Sequence, residues 1–199
     1  MFYSLRGTLI HTEPGFFAIE CAGVGYKCYT TLTTQRNLPK LGQEVKVFTH
    51  VNVREDAMDI YGFATVLELN CYKMLTGVSG VGPKVGLAIL SDLTPEQVAT
   101  AIAVNDSKAL TKAAGVGPKL AQRIVLELTD KVKKMDTDST VQPVQGAVSA
   151  ASNAAEAVNA LTVLGYSPTE AATVVAKLDS ALPVEELIRL ALKAMAGKL

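Results

Sequence analysis

The pentapeptide Gly-Val-Gly-Pro-Lys occurs twice, as Gly80 to Lys84 and as Gly115 to Lys119, at an offset of 35 residues. The match continues in the apolar pairs Val85/Leu120, Ile89/Ile124 and Leu90/Val125. An internal repeat constrains the fold more than composition does, because both copies must form one supersecondary unit. Each copy reads as a helix, a tight Gly-x-Gly turn, and a second helix that opens on proline, the residue best tolerated at a helix's first position. Glycine in the turn lets a ligand approach the main chain with no Cβ in the way. The free N–H groups at the start of the second helix, reinforced by its dipole, make an anion site. One lysine after each proline adds a mobile positive charge. Gly80, Val81, Gly82 and Lys84, with Gly115, Val116, Gly117 and Lys119, are therefore candidate phosphate contacts. Arg123, one turn into the second copy's helix, joins them, and Lys73, Lys108 and Lys112 are secondary candidates.

One such turn reads equally well as a plain helix connection, and its duplication favours phosphate. An ATP-binding loop shares the spacing of Gly77 and Gly82. It requires lysine where Pro83 stands, Ser or Thr where Val85 follows Lys84, and a preceding strand in place of a helix. The anion is then a nucleic-acid backbone. Paired turns of this kind resemble the helix-hairpin-helix motif of DNA repair and recombination proteins, which grips phosphates without reading sequence.

The regions on either side differ in kind. Leu5 to Ile10, Phe16 to Cys21, Tyr26 to Thr31, Val45 to Val53 and Asp59 to Phe63 are rich in β-branched and aromatic residues and are punctuated by turns such as Glu13-Pro14-Gly15 and Ala22-Gly23-Val24-Gly25. Five short strands suit a small Greek-key barrel of the OB type, and an SH3-like barrel has the same count. Helical periodicity then takes over. Thr94-Pro95-Glu96-Gln97 starts one helix with a cap and a capping box, and a last one spans about Pro118 to Lys134. Residues 136–151 are polar, with Pro143 and Gly146 and no period, and read as a flexible linker. Three amphipathic helices follow, at about Asn153 to Leu164, Pro168 to Leu178 and Pro183 to Met195. A bundle this small is marginal by itself.

Charge divides along the same lines. The net formal charge of the 199 residues is zero, yet residues 1–64 hold six basic and six acidic side chains, 65–135 nine and six, and 136–199 four and seven. A basic middle beside an acidic end suggests different partners for each. The three cysteines, Cys21, Cys28 and Cys71, show no metal-binding spacing and read as buried thiols of a reducing compartment. His11 and His50 lie far apart, so neither a zinc site nor a triad is expected. No apolar run is long enough to span a membrane and no secretory signal opens the chain, so a cytoplasmic location is expected.

Leu5-Arg6-Gly7, Gly23-Val24-Gly25-Tyr26, Phe48-Thr49-His50 through Val53-Arg54-Glu55-Asp56-Ala57, Tyr61-Gly62-Phe63, both glycine turns and Leu161-x-x-Leu164-Gly165-Tyr166 occur in the order found in the RuvA family. The chain resembles that family over essentially its whole length. The resemblance implies an α+β multidomain architecture: an N-terminal OB-like β-barrel (1–64), an all-α domain with two helix-hairpin-helix motifs (65–135), the linker, and a C-terminal three-helix, UBA-like bundle (152–199). It also implies a homotetramer, sometimes paired into an octamer, that holds Holliday-junction DNA open and square-planar. The last domain would bind the RuvB hexamer, an ATPase, and RuvC could resolve the same junction. No cofactor or metal and no catalytic residue is implied for this chain, since ATP belongs to the partner motor. Glu55 and Asp56, with Arg54, match the family's acidic pin, and Leu164, Gly165 and Tyr166 are candidate contacts for the motor. The family often carries a different residue at the position of Pro118.

Two other classes remain open to the residues themselves. A structure-selective nuclease would use the carboxylates of Glu55 and Asp56, although two sequence neighbours make a poor two-metal site. A single-strand-binding OB protein would need stacking platforms, and the chain has 6% aromatic residues and no tryptophan.

Overall fold

The computed structural model describes residues 2–138 and 153–196. Alternating apolar residues build β1 (Ser4–Glu13), β2 (Phe16–Cys21) and β3 (Val24–Tyr29) as an antiparallel meander. A short helix, α1 (Leu32–Asn37), leads to β4 (Glu44–Val53) and β5 (Met58–Phe63), which pair as a hairpin. The strands close into a barrel in the order β1-β2-β3-β5-β4. Closure comes from the antiparallel β1–β4 pair, with Leu5 opposite Val47, and the parallel β3–β5 pair, with Tyr29 opposite Tyr61. That order is the five-stranded Greek key of an OB barrel and decides against the SH3-like alternative. Leu5, Leu9, Phe17, Ile19, Cys28, Val47 and Ile60 fill its interior.

The barrel departs from the sequence expectation at one turn and one helix, and further on the helix expected over Pro168 to Leu178 ends at Val175. The expected turn Ala22-Gly23-Val24-Gly25 narrows, because Val24 and Gly25 already pair with Cys21 and Glu20. Helix α1 has no counterpart in the sequence pattern, since Leu-Thr-Thr-Gln-Arg-Asn has weak helix propensity. Tertiary bonding overrides that weakness. Thr31 caps the helix, its hydroxyl accepting from the Thr34 N–H at 2.9 Å. The hydroxyls of Thr31 and Thr34 then donate to the carboxylate of Glu68, which is buried, with Thr34 at 2.5 Å.

The chain divides into two compact units. The first takes the barrel through Gly77 together with Gly82–Thr94 and Ala113–Gly115. In it, α2 (Val66–Thr76) packs on β4, β5 and α3 (Pro83–Asp92), and Tyr72 sets its ring 4.9 Å from Phe63 and 5.3 Å from Tyr61. α1 is tied to α3 where Thr33 Oγ1 donates to the Leu90 carbonyl at 2.9 Å.

The second unit takes Val78–Val81, Pro95–Lys112 and the chain from Val116 on. It holds α4 (Pro95–Ala103), the single turn α5 (Ser107–Leu110), α6 (Pro118–Asp138), α7 (Asn153–Val163), α8 (Pro168–Val175) and α9 (Val184–Ala196). α6 runs past the expected end at Lys134 because neither glycine nor proline interrupts it, so residues 136–138 of the expected linker are helical. The rest of that linker, 139–151, lies outside the described residues. Ala157, Leu161, Leu164, Val175, Leu187 and Ile188 form the core of the last three helices. Those helices are not left to themselves: α7 and α9 pack on α4, and α7 also meets α6.

Candidate nucleic-acid interface

Two local conformations repeat at the glycine turns, and they separate the roles of the glycines. Gly80 and Gly115 have φ of +90° and +82°, the left-handed region that L side chains rarely adopt. Each is also packed against the other copy. A Cβ on Gly80 would lie 3.4 Å from Leu120 Cδ1, and one on Gly115 would lie 3.6 Å from Val85 Cγ2. Leu120 and Val85 are themselves partners in the repeat, so the contact is reciprocal.

Gly82 and Gly117 behave differently. Neither has positive φ; Gly82 is extended, at φ −79° and ψ 170°. A Cβ on either would meet nothing within 4 Å. Internal strain and internal packing therefore give no reason for glycine at these two positions, which are exposed. With no Cβ there, the main chain at the start of α3 and α6 is left open to approach from outside. Gly82 caps α3 with no side-chain hydrogen bond, and Pro83 and Pro118 open α3 and α6.

Lys84 and Lys119 are exposed, as the repeat implied, and so are Lys73, Lys108 and Lys112. Val81 and Val116 are both 5% exposed, so their side chains anchor the turns, and the Val81 N–H donates to the Val78 carbonyl at 3.0 Å, which leaves Val81 no free donor for a phosphate. Arg123 braces the first turn from the second copy's helix, its Nη1 donating to the Ser79 carbonyl at 3.4 Å.

Glu55 and Asp56 sit at the exposed tip of the β4–β5 hairpin. The hairpin is closed below them by Arg54 N–H donating to the Ala57 carbonyl at 2.8 Å. Arg54 is not a free charge: its guanidinium bonds the Asp59 carboxylate at 2.7 Å. Val53 and Met58, opposite one another, are 71% and 61% exposed. Among the described residues no three His, Cys, Asp or Glu side chains come together as a metal site would require, and no helix is long and apolar enough to cross a membrane.

The three candidate partner contacts have unlike environments. Leu164 is core, at 1% exposure, and offers no surface to a partner. Gly165 is exposed and turns the chain at φ +94°. Tyr166 is half-buried, and burial, then Glu170 and Glu96, pushes its hydroxyl above the usual phenol value. Sequence reasoning missed the polar and aromatic surroundings of Lys84, namely Tyr29, Asn52, Asp59 and Tyr61. Their signal was strand alternation, but it needed the β3–β5 pairing to bring Tyr29 and Tyr61 together.

Residues 1–62 match the family model described as RuvA N terminal domain, residues 72–130 the SAM-like helix-hairpin-helix tandem, and residues 152–196 the RuvA C-terminal domain. The chain is 44% identical to a protein of Acetivibrio thermocellus over 98% of its own length and 99% of the relative's. It is 45% identical to one of Desulforamulus reducens over 96% of each, and 41% identical to one of Vibrio cholerae over 96% of this chain and 98% of the other. Each of the three relatives is named Holliday junction branch migration complex subunit RuvA.

Proposed function

Because the chain belongs to the RuvA family, we propose that it binds four-way junction DNA without reading sequence and holds it open for branch migration. The observation that carries this reading is the duplicated pair Gly82 and Gly117, exposed and unconstrained by the protein's own packing, each followed within two residues by an exposed lysine at a helix start. Each turn takes a backbone phosphate on main-chain N–H groups, with the lysine adding a salt-sensitive attraction. Backbone contacts of this kind position DNA and carry no sequence information.

The acidic tip supplies selectivity. Glu55 and Asp56 repel the phosphates of a continuous duplex laid across them, whereas an open crossover leaves room for them. The same repulsion keeps strands apart where they exchange. A homotetramer would set four such tips at the crossover, and a paired octamer four on each of its two sides. The C-terminal helices would recruit the RuvB hexamer, which spends ATP, and RuvC would resolve the same junction. This subunit is then a non-catalytic, cofactor-free member of a cytoplasmic assembly.

Incubating the purified protein with a labelled four-way junction, with and without magnesium, tests the reading. A tight complex with intact DNA under both conditions is expected. Cleavage would replace it with the nuclease reading, and preference for single strands with the OB-reader one.

A further inference from the structure

Beside the start of α3 the first unit holds a cleft of about 620 Å³, lined among others by Tyr29, Asn52, Arg54, Asp59, Tyr61 and Lys84. Sites for small organic ligands run from about 300 to 1,000 Å³, so the cleft is larger than a phosphate contact needs. Its walls differ in chemistry. One is the first turn of α3, where Gly82 and Lys84 offer main-chain N–H and an ammonium group. The other is aromatic: Tyr29 and Tyr61 hold their rings 5.8 Å apart, and Tyr61 is backed by the buried ring of Tyr72 at 5.3 Å. The Arg54–Asp59 ion pair, 2.7 Å long, and Asn52 also line the cleft.

An anion site, an aromatic surface and paired donors and acceptors match the three parts of a nucleotide. We propose that this cleft receives one unpaired nucleotide of a DNA strand, its phosphate at the start of α3 and Lys84, its base against Tyr29, and its polar edge toward Asn52, Arg54 and Asp59. Aromatic stacking is tolerant of base identity, because every base has a π face. Asp59 would be misplaced in a site built for phosphate alone, since it repels an anion, yet it accepts hydrogen bonds from the amino groups of adenine, cytosine or guanine. The location also fits. Arg54 and Asp59 stand at the foot of the hairpin that carries Glu55 and Asp56 at its tip. The inference rests on the junction reading for its source of unpaired nucleotides: strands parted at the acidic tip would deliver them beside the cleft.

The test uses the full chain and a four-way junction carrying 5-iododeoxyuridine either at the crossover or in the middle of one arm. Irradiation couples iodouracil to an aromatic ring stacked on it, and peptide mapping locates the adduct. The crossover label should couple to Tyr29 and the arm label should not. Tyr29→Phe should keep the adduct, and Tyr29→Ala should abolish it at protein concentrations where gel shift shows the junction bound. A bound junction with no adduct on Tyr29, or equal coupling from the arm label, would overturn the inference while leaving the junction reading intact. Absence of the gel shift would overturn the junction reading and this inference with it.

Discussion

Replacing Gly82 by alanine, with Gly80→Ala as its contrast, separates ligand approach from folding. At Gly80 the backbone is left-handed, φ +90°, and the new methyl would stand 3.4 Å from Leu120 Cδ1. The conformation alone costs about 1–2 kcal/mol for an L residue. In a chain of this size each kcal/mol moves Tm by about 2–4 °C, so Gly80→Ala should lower Tm by about 2–8 °C. At Gly82 the backbone is extended and nothing lies within 4 Å of the methyl. Alanine fits there and restricts the unfolded chain, so stability should hold or rise by up to about 1 kcal/mol. A phosphate oxygen seated against the Gly82 main chain, however, would be displaced. One hydrogen bond to a charged group contributes about 1.5–3 kcal/mol, which corresponds to a rise in junction Kd of about 10- to 150-fold. Thermal unfolding and fluorescence anisotropy on a labelled junction, at one fixed salt concentration, read both quantities. Gly117→Ala should follow Gly82→Ala. Parent-like affinity in Gly82→Ala, or a loss matched by a fall in Tm, would refute the assignment.

Lys84→Ala and Lys119→Ala should each weaken junction binding and reduce the slope of log K against log salt by about 1 for every phosphate no longer engaged; titrations across salt concentrations check this, and unchanged slopes would remove the lysines from the interface. His50 gives a pH dependence. Burial, with Lys73 beside it, holds its imidazole below the ordinary value of 6.5. The unfolded chain therefore takes up the proton first as pH falls, so this contribution to stability is present above pH 6.5 and is lost as pH drops toward the folded value. Denaturant midpoints between about pH 5 and 7 should fall toward acid, and His50→Gln should flatten the curve. Burial, then the neighbouring Cys21, pushes the Cys28 thiol up to about 12. Cys71 is also buried while Cys21 is half-buried, so a thiol reagent followed by mass spectrometry should modify Cys21 in the native protein and the other two only after unfolding.

The elements that the sequence makes legible are those specified by local chemistry. Proline at the start of α3, α4, α6 and α8, the Ser167 cap whose hydroxyl accepts from Glu170 N–H at 3.2 Å, and the apolar alternation of the barrel strands each act within a few residues. The repeat locates the two glycine turns, yet it treats their glycines alike. Only the backbone separates Gly80 and Gly115, which have positive φ, from Gly82 and Gly117, where a Cβ would meet nothing within 4 Å. What stays hidden depends on partners far along the chain. α1 forms because Glu68, thirty-four residues after Thr34, accepts its hydroxyl. The motif Tyr61-Gly62-Phe63 gains its reason when the barrel closes, since a Cβ on Gly62 would lie 2.7 Å from Phe17 Cζ. Arg54 likewise reads as a free cation until the β4–β5 register sets Asp59 beside it.

Selectivity for a crossover over plain duplex is the centre of the account, and the ratio of the two dissociation constants measures it. The parent chain and a Glu55→Gln, Asp56→Asn variant would be titrated with a four-way junction and with linear duplex at the same salt concentration. The parent should prefer the junction, and the variant should keep strong junction binding while binding duplex more tightly, so that the ratio of duplex to junction Kd falls. A ratio near one for the parent, an unchanged ratio in the variant, or weaker duplex binding after neutralisation would contradict it.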